Sequence, residues 1–377
     1  MNILLFSVSI GHGHDQVAHT ISQEFLSSVP NCRVKVKNTL KMLNPILDKV
    51  LLESYMNIIK FYPKAWGALY DRTNTKESFI DINDISSTLF KGKLKKEIES
   101  FKPSVIICTH PFPTAIMASL KSKNKIDIPI VSVITDFNVH ISYLNDFVDH
   151  YIIASENLKY DLIEYGIKED RILPLGIPIR SIFNLPIDRQ EVCDRLGLIN
   201  KRTILVMGGG LGLGQISKVV LKMDEILENI QIIAVAGRNA KLEKTLKNLN
   251  LKNDFKVYGF VNNIHELMEI SDCIISKPGG VTSAEILAKQ KPLIIFSPLP
   301  GHEFENTEFL MNSGTALSTE NIDKIPHLVK QLLNSEKRVL CIKEMAIEIA
   351  KPFATQSLKE MLLSKYDTRN AISKDNT

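Results

Sequence analysis

The chain has 377 residues, 44% hydrophobic and 23% charged, an ordinary composition for a folded protein long enough for two domains with a full core in each. Its net charge is +4, from 46 Lys and Arg against 42 Asp and Glu. That is too mild for a nucleic-acid binder, and compatible with docking on an anionic leaflet only if the excess is local. The five cysteines (Cys32, Cys108, Cys193, Cys273, Cys341) lack C-x-x-C spacing and are expected to be reduced core residues of a cytosolic protein. No uncharged apolar run approaches the length of a membrane span, so any membrane role is expected to be peripheral.

In chain order, Ile3 to Ile10 predicts a buried parallel strand that runs into Gly11-His12-Gly13-His14. It lacks a positive leading region, so it is expected to be a first strand and not a signal peptide. A helix follows from about Gln16 to Leu26, with Val17, Ile21 and Phe25 on one face. His14 is either a helix-terminus histidine bonded to backbone or part of a binding loop, and its place beside two glycines favours the loop. After a short strand, Val34 to Val36, residues Asn44 to Leu69 form an apolar stretch in which Tyr55, Phe61, Tyr62, Trp66 and Tyr70 are interleaved with Lys49, Lys60, Lys64 and Arg72. Rings at headgroup depth beside lysines suit a membrane interface, and the same pattern suits a helix pair capping the core. Leu94 to Phe101, with Lys91, Lys93, Lys95 and Lys96, predicts a basic amphipathic helix with a solvated face.

Val105 to Thr109 and Ile130 to Thr135 are further strands, ending in His110-Pro111-Phe112-Pro113 and in Asp136-Phe137-Asn138-Val139-His140. Polar residues at strand carboxyl ends are where chemistry gathers in an α/β sheet. Asp149 to Ala154 (strand), Glu156 to Tyr165 (helix) and Ile172 to Leu175 (strand) complete a first series. Pro178 and Pro186 stiffen the exit, which places the domains at 1–183 and 184–353.

The second series opens with strand Thr203 to Met207 and a glycine loop, Gly208 to Gly214, including Gly209 and Gly210. Dehydrogenases carry a similar loop, but no acidic residue follows the next strand, Ile232 to Ala236, where Gly237-Arg238-Asn239 stands instead. The loop therefore suits a phosphate cradle. Strand Phe255 to Phe260 leads into Val261-Asn262-Asn263-Ile264. The most informative stretch is Asp272 to Asn306: strand Cys273 to Ile275, the turn Lys277-Pro278-Gly279-Gly280, and a helix expected behind caps Thr282 and Ser283 with Glu285 in its first turn. A helix N-terminus behind two glycines can receive a diphosphate, and the Glu285 carboxylate could accept both hydroxyls of a ribose. Strand Leu293 to Phe296 then ends in Pro298-Leu299-Pro300-Gly301-His302-Glu303. For any single glycine here an ordinary turn suffices, but the block together reads as half of a nucleotide-sugar site. Strand Thr315 to Leu317 and helices Ile325 to Leu333 and Arg338 to Ile349 close the series.

The run Ser-Lys-Pro-Gly-Gly-Val-Thr with Ala-Glu behind it, then Pro-Leu-Pro-Gly-His-Glu with Asn306, resembles the donor-site signature of glycosyltransferases related to plant galactolipid synthases and bacterial processive diacylglycerol glucosyltransferases, in glycosyltransferase family 28. The opening loop around His14, the Asn44-Pro45 segment, the Thr-Asp-Phe-x-x-His run to His140 and Gly176-Ile177-Pro178-Ile179-Arg180 follow in the family's order. The family usually has glutamine at the position of His302, and the tryptophan often found after the Asp136 run is absent, with Tyr143 nearest. The resemblance implies an α/β protein of GT-B type, two doubly wound Rossmann-like domains facing a central cleft, with a last helix of about 354–366 crossing back onto the first domain and a disordered tail at 367–377.

It further implies an inverting transferase that moves glucose or galactose from a UDP-sugar to diacylglycerol or glycosyl-diacylglycerol. The implied setting is the anionic inner face of a bacterial membrane, with no nucleic acid as partner. Gly209, Gly210, Lys277, Pro278, Gly279, Gly280, Thr282, Glu285, Gly301 and His302 would bind the donor, Phe260 and Val261 the uracil, and Glu303 and Asn306 the sugar. Gly11, Gly13 and His140 would face the acceptor, with Phe61, Tyr62 and Trp66 at the membrane. With no D-x-D pair, neither metal nor cofactor is expected, and glycine-loop amides would meet the developing charge. The base is His14 or Asp136. A transferase acting on a lipid-linked wall precursor, a UDP-sugar epimerase and a non-catalytic nucleotide-sugar sensor are the competing readings.

Overall fold

The computed structural model describes residues 1–9, 12–44, 58, 62, 67–68, 70, 72, 74 and 88–367. Two compact units divide them, one comprising Met1–Arg180 with Pro300–His302 and the stretch from Phe353, the other Ser181–Leu299 with Glu303–Pro352. The expected boundary at 183/184 thus falls three residues earlier, because Phe183 is already buried against the His265 ring and Asn184 donates to the Pro352 carbonyl, both within the second unit.

The first unit holds strands β1 (Asn2–Ser7), β2 (Arg33–Asn38), β3 (Val105–Cys108), β4 (Ile130–Val133), β5 (His150–Ile152) and β6 (Ile172–Leu173). All are parallel, in the order β2-β1-β3-β4-β5-β6. Helices α1 (Gly13–Ser28), α2 (Thr39–Leu43), α3 (Thr88–Phe101), α4 (Pro111–Ser122) and α5 (Asn157–Glu164) belong to it. A parallel sheet is covered on both faces, which is why β1, β3 and β4 read as nearly continuous apolar runs, broken only by Ser132 inside β4 and by Asn2 and Ser7 at the ends of β1, and buried throughout from Ile3 onward. The first strand ends at Ser7, which still pairs with Asn38; Ser7 and Ser9 donate their hydroxyls to Asp15 of α1, and the expected strand end, Ile10, lies outside the described residues. Helix α4 starts directly behind the His110-Pro111-Phe112-Pro113 run that ends β3. Pro111 lacks only an N–H that the first helical turn leaves unpaired anyway, and His110 caps that turn through Nδ1.

The second unit holds α6 (Arg189–Leu196), β7 (Thr203–Met207), α7 (Ile216–Ile226), β8 (Gln231–Val235), α8 (Ala240–Lys247), β9 (Asp254–Tyr258), α9 (Ile264–Glu269), β10 (Cys273–Ser276), α10 (Gly280–Ala288), β11 (Leu293–Ile295), α11 (His302–Asn312), β12 (Ala316–Ser318), α12 (Ile325–Leu333) and α13 (Glu336–Ile349). Its first α11 residue, His302, is grouped with the first unit. The sheet order is β12-β11-β10-β7-β8-β9, again all parallel. Val219, Val220 and Met223 of α7 and Val329 and Leu332 of α12 pack with the strands in one core. The last helix, α14 (Ala354–Tyr366), lies in the first unit, where Lys359 pairs with Glu24 of α1 and Thr355 donates to the Ile179 carbonyl. Asp367, assigned above to a disordered tail, is buried at the end of this helix, with its N–H on Leu363 O. Among the described residues no helix is long and apolar enough to cross a membrane.

Entry into the edge strand β9 hangs on one carboxylate. Asp224 of α7 accepts the Lys252 and Asn253 backbone N–H groups and the Asn253 side chain, at 2.9–3.0 Å. Burial alone would raise its pKa; these hydrogen bonds overcome that and hold it below the ordinary value. A depressed carboxylate pKa contributes stability that is fully present above the unfolded value, about 3.9, and is lost as pH falls through the folded one. Asp224→Ala should therefore cost the second unit about 2–3 kcal/mol at pH 7, read as a lower denaturant midpoint for that unit. The difference from the parent should shrink below about pH 4.

Candidate functional site

In an open α/β sheet the loops at the strand carboxyl ends diverge where strand order reverses, and ligands bind there. In the first unit this point lies between β1 and β3, which pair with each other while β2 and β4 extend the sheet in opposite directions. His14, in the first turn of α1, meets the end of β3 there. Its Nδ1 is 2.7 Å from the Thr109 carbonyl and 3.0 Å from Thr135 Oγ1 at the end of β4, while Thr109 Oγ1 donates to the His14 carbonyl. A carbonyl only accepts, so the neutral imidazole carries its proton on Nδ1 and leaves the Nε2 lone pair uncommitted by that bond.

The other histidines differ in protonation and placement. Phe112 N–H donates to His110 Nδ1, so the neutral His110 carries its proton on Nε2; its ring stands edge-on to His14, centroids 4.7 Å apart. Burial lowers the pKa of His14, and the Asp136 carboxylate and the Thr109 carbonyl pull part of the way back. Burial and the neighbouring His14 push His110 well below the ordinary range. His140, half-buried, caps the turn at 141–143 and stands edge-on to Tyr70 at 4.7 Å; burial lowers its pKa too. Tyr70 also takes a hydrogen bond from Asn138, whose amide reaches the His302 carbonyl.

Gly301 and His302, expected at the donor, are thus held with the first unit beside Tyr70. Gly301 has φ +90°, and a Cβ there would lie 2.7 Å from the Tyr70 ring, so the position excludes any side chain. Gly13, expected to face the acceptor, is the first residue of α1, and His12 before it takes a left-handed conformation at φ 63°. Gly11, Phe61 and Trp66 lie outside the described residues, as does most of the stretch expected at a membrane. Of its described residues, Tyr62 and Arg72 are exposed and Tyr70 is buried.

The second unit reverses its strand order between β7 and β10, so the glycine loop and the Lys277–Gly280 turn leave the sheet side by side. Gly208 and Gly212 are required by close packing: a Cβ would come within 2.0 Å of Leu213 O and 1.9 Å of Ala236 O. Gly209 needs its positive φ of +68°, and Gly210 accepts the Arg238 N–H at 3.0 Å. Gly279 differs from all of these. It has an ordinary φ of −64°, and an added Cβ would meet nothing within 4 Å, so neither conformation nor packing demands glycine. It leaves the approach to the α10 N-terminus open.

That helix begins at Gly280, ahead of the expected caps. Gly279 is extended and serves as N-cap, and Ser283 N–H already bonds to the Gly279 carbonyl at 2.9 Å. Thr282 and Ser283 lie inside the helix and Glu285 in its second turn, buried, with 4% of its surface exposed. The Ser276 and Ser283 hydroxyls, on either side of the turn, are fully buried without a hydrogen-bond partner among the described residues.

Lys277 and Glu303, both buried, form an ion pair at 2.6 Å, and Glu303 also accepts Leu299 N–H at 2.6 Å. Asn306 is fully buried and donates to the Pro278 carbonyl at 2.9 Å, bracing the turn. Phe260 is exposed after β9, with the Arg238 guanidinium 4.8 Å from its ring centroid and Val261 beside it. Sequence reasoning passed over Asp15, Thr109, Thr135 and Arg238. Thr109 and Thr135 were detectable as polar residues at the mouth of apolar strands, Asp15 as the acid in the first turn of α1, and Arg238 as the residue standing where a dehydrogenase has its acid.

Two family models match the chain, the monogalactosyldiacylglycerol synthase model over residues 14–179 and the glycosyltransferase family 28 C-terminal domain over residues 203–361. A processive diacylglycerol β-glucosyltransferase of Bacillus cereus is 29% identical over 374 residues, covering 96% of this chain and 93% of the relative. Among solved structures, the Staphylococcus aureus MnaA–UDP complex matches with TM-score 0.65 at 13% identity over 98% of this chain and 97% of its own. Acinetobacter baumannii MurG matches with TM-score 0.62 at 15% identity over 96% and 99%. At such identities the structural likeness establishes the fold, GT-B. From end to end the matches agree in order, and the chain belongs to the family of monogalactosyldiacylglycerol synthases and processive diacylglycerol β-glucosyltransferases, in glycosyltransferase family 28.

Proposed function

We propose that the chain transfers a hexose, glucose first, from a UDP-sugar to the free hydroxyl of diacylglycerol, inverting the anomeric centre in one displacement. It would work as a peripheral enzyme at the inner face of a bacterial membrane. The observation that carries this reading is the match across 96% of the chain to a protein named for that reaction. The geometry supports the residue roles. His14 Nε2 takes the proton as the acceptor oxygen attacks; burial keeps the imidazole neutral at neutral pH, and Asp136 restores part of its basicity. The bond from the anomeric carbon to the β-phosphate oxygen breaks, and UDP departs with the electron pair.

The diphosphate charge is met by the N–H groups of the α10 N-terminus behind Gly279 and by the Gly209-Gly210 loop, with no metal required. Glu285 receives the ribose hydroxyls, and Phe260 with Val261 flanks the base. Each Glu303 oxygen bonded to Lys277 or Leu299 N–H keeps a second lone pair for a sugar hydroxyl. Asn306 acts through the turn it braces, and the number of sugars added follows from whether the glycosylated product returns as acceptor. Purified protein given UDP-glucose or UDP-galactose and diacylglycerol, with products resolved by thin-layer chromatography, tests the reading; free sugar without a lipid product would overturn it.

Four outcomes are expected. Gly279→Val should fold normally, at a cost of about 1 kcal/mol or less for the changed cap, yet raise KM for the UDP-sugar at least about tenfold. Glu285→Gln should weaken UDP binding by roughly 2–3 kcal/mol in calorimetry, and unchanged affinity would remove it from the site. The acid limb of kcat/KM should lie below the ordinary histidine value of about 6.5, because the base must be neutral and its folded pKa is lowered. Asp136→Asn should move that limb lower still, whereas loss of all activity in Asp136→Asn with retention in His14→Ala would make Asp136 the base. Turnover should also persist in EDTA, checked by the same chromatographic assay.

A further inference from the structure

The positive excess of the chain is local. Strand β2, α2 and α3 together carry eight Lys and Arg against two Glu, a net of +6, whereas the whole chain has +4 and the remainder is therefore net −2. Strand β2 is an edge of the first sheet. Arg33, Lys35 and Lys37 alternate along it and so share one face. Lys35 and Lys37 reach Glu97 of α3 at 3.1 and 3.3 Å, and Lys35 Nζ and the Arg33 guanidinium lie 4.8 and 5.6 Å from the Phe101 ring centroid. Lys93, Glu97 and Phe101 follow one another at four-residue spacing, so Lys93 extends the same stripe one turn along α3.

The stripe leads to the candidate acceptor site. From Arg33 it runs roughly 17 Å to Asn38, whose amide donates to Ser9 Oγ, and Ser9 in turn donates to Asp15, the neighbour of His14. We propose that this β2–α3 stripe is the surface by which the first unit docks on an anionic lipid leaflet. The proposal rests on the reading of the acceptor as a lipid. Its occupant is a membrane and not a nucleic acid: the ring at its centre, Phe101, is 5% exposed and cannot stack a base. A water-insoluble acceptor must also be collected beside the stripe's end. Clustered Lys and Arg near such a surface each add attraction that salt screens.

Lysines on an edge strand also prevent sheet-to-sheet pairing, and charge reversal keeps that protection while removing the attraction to lipid. The test is Arg33→Glu/Lys93→Glu/Lys96→Glu, which spares both ion pairs of Glu97, with the corresponding Gln triple as a milder variant. Wild type should cosediment with phosphatidylcholine vesicles containing 30 mol% phosphatidylglycerol, not with pure phosphatidylcholine, and should release in 0.5 M salt. The Glu triple should bind about tenfold more weakly or worse, and the Gln triple less so. Turnover of diacylglycerol in those vesicles should fall in parallel, while turnover of short-chain diacylglycerol in neutral detergent and UDP affinity stay unchanged. Wild-type vesicle binding by variants with normal UDP affinity would overturn the proposal. So would equal binding of wild type to both vesicle types, or a preference for duplex DNA over anionic vesicles. Absence of lipid product from wild type in either medium would instead sink the acceptor reading, with the vesicle assay still deciding the surface.

Discussion

Everything of functional interest depends on one constraint of parallel sheets: all strands point the same way, so all their carboxyl ends share one edge, and a gap opens there only where strand order reverses. In the first unit the reversal falls between the paired strands β1 and β3, and it brings His14 to Thr109, 95 residues away. In the second it falls between the paired strands β7 and β10 and sets the glycine loop beside the Lys277 turn. The apolar strands are the means, because they fix the backbone ends on which polar residues stand. Ser7, Thr109 and Thr135, at or just past the ends of such strands, are accordingly buried but hydrogen-bonded.

Burial then sets the chemistry of the polar groups so placed. His14 and His110 sit in similar surroundings with their pKa values lowered for the same first reason, yet opposite backbone partners give them opposite tautomers. One is left with an acceptor at Nε2 and the other with a donor. Lys277 and Glu303 are both withdrawn from water, where a charge without its partner would cost several kcal/mol, roughly 3–5 for pairs of this kind, so the pair also fixes the start of α11 relative to the turn. Gly279 contributes by what it lacks, since nothing in the fold needs that position to be glycine. The same logic of local excess applies to charge: a chain near neutrality overall concentrates its surplus on one edge strand and one helix.

The sequence by itself determined the alternation of strand, turn and helix, the two-domain class, and the Lys-Pro-Gly-Gly and Gly-His-Glu blocks, because hydrophobic period and glycine turns are properties of neighbouring residues. Local reading failed where two local rules compete. Thr282 and Ser283 are good caps, but the extended Gly279 takes the role first, so the helix starts at Gly280, ahead of both. The tertiary structure alone decided strand order, and with it which strand ends meet. It also decided that Asn306 braces the Pro278 carbonyl and that Gly301 stands under Tyr70. The same holds for the tautomer of His14. The last three depend on contacts between residues 28, 231 and 95 positions apart, for which a one-dimensional pattern carries no signal.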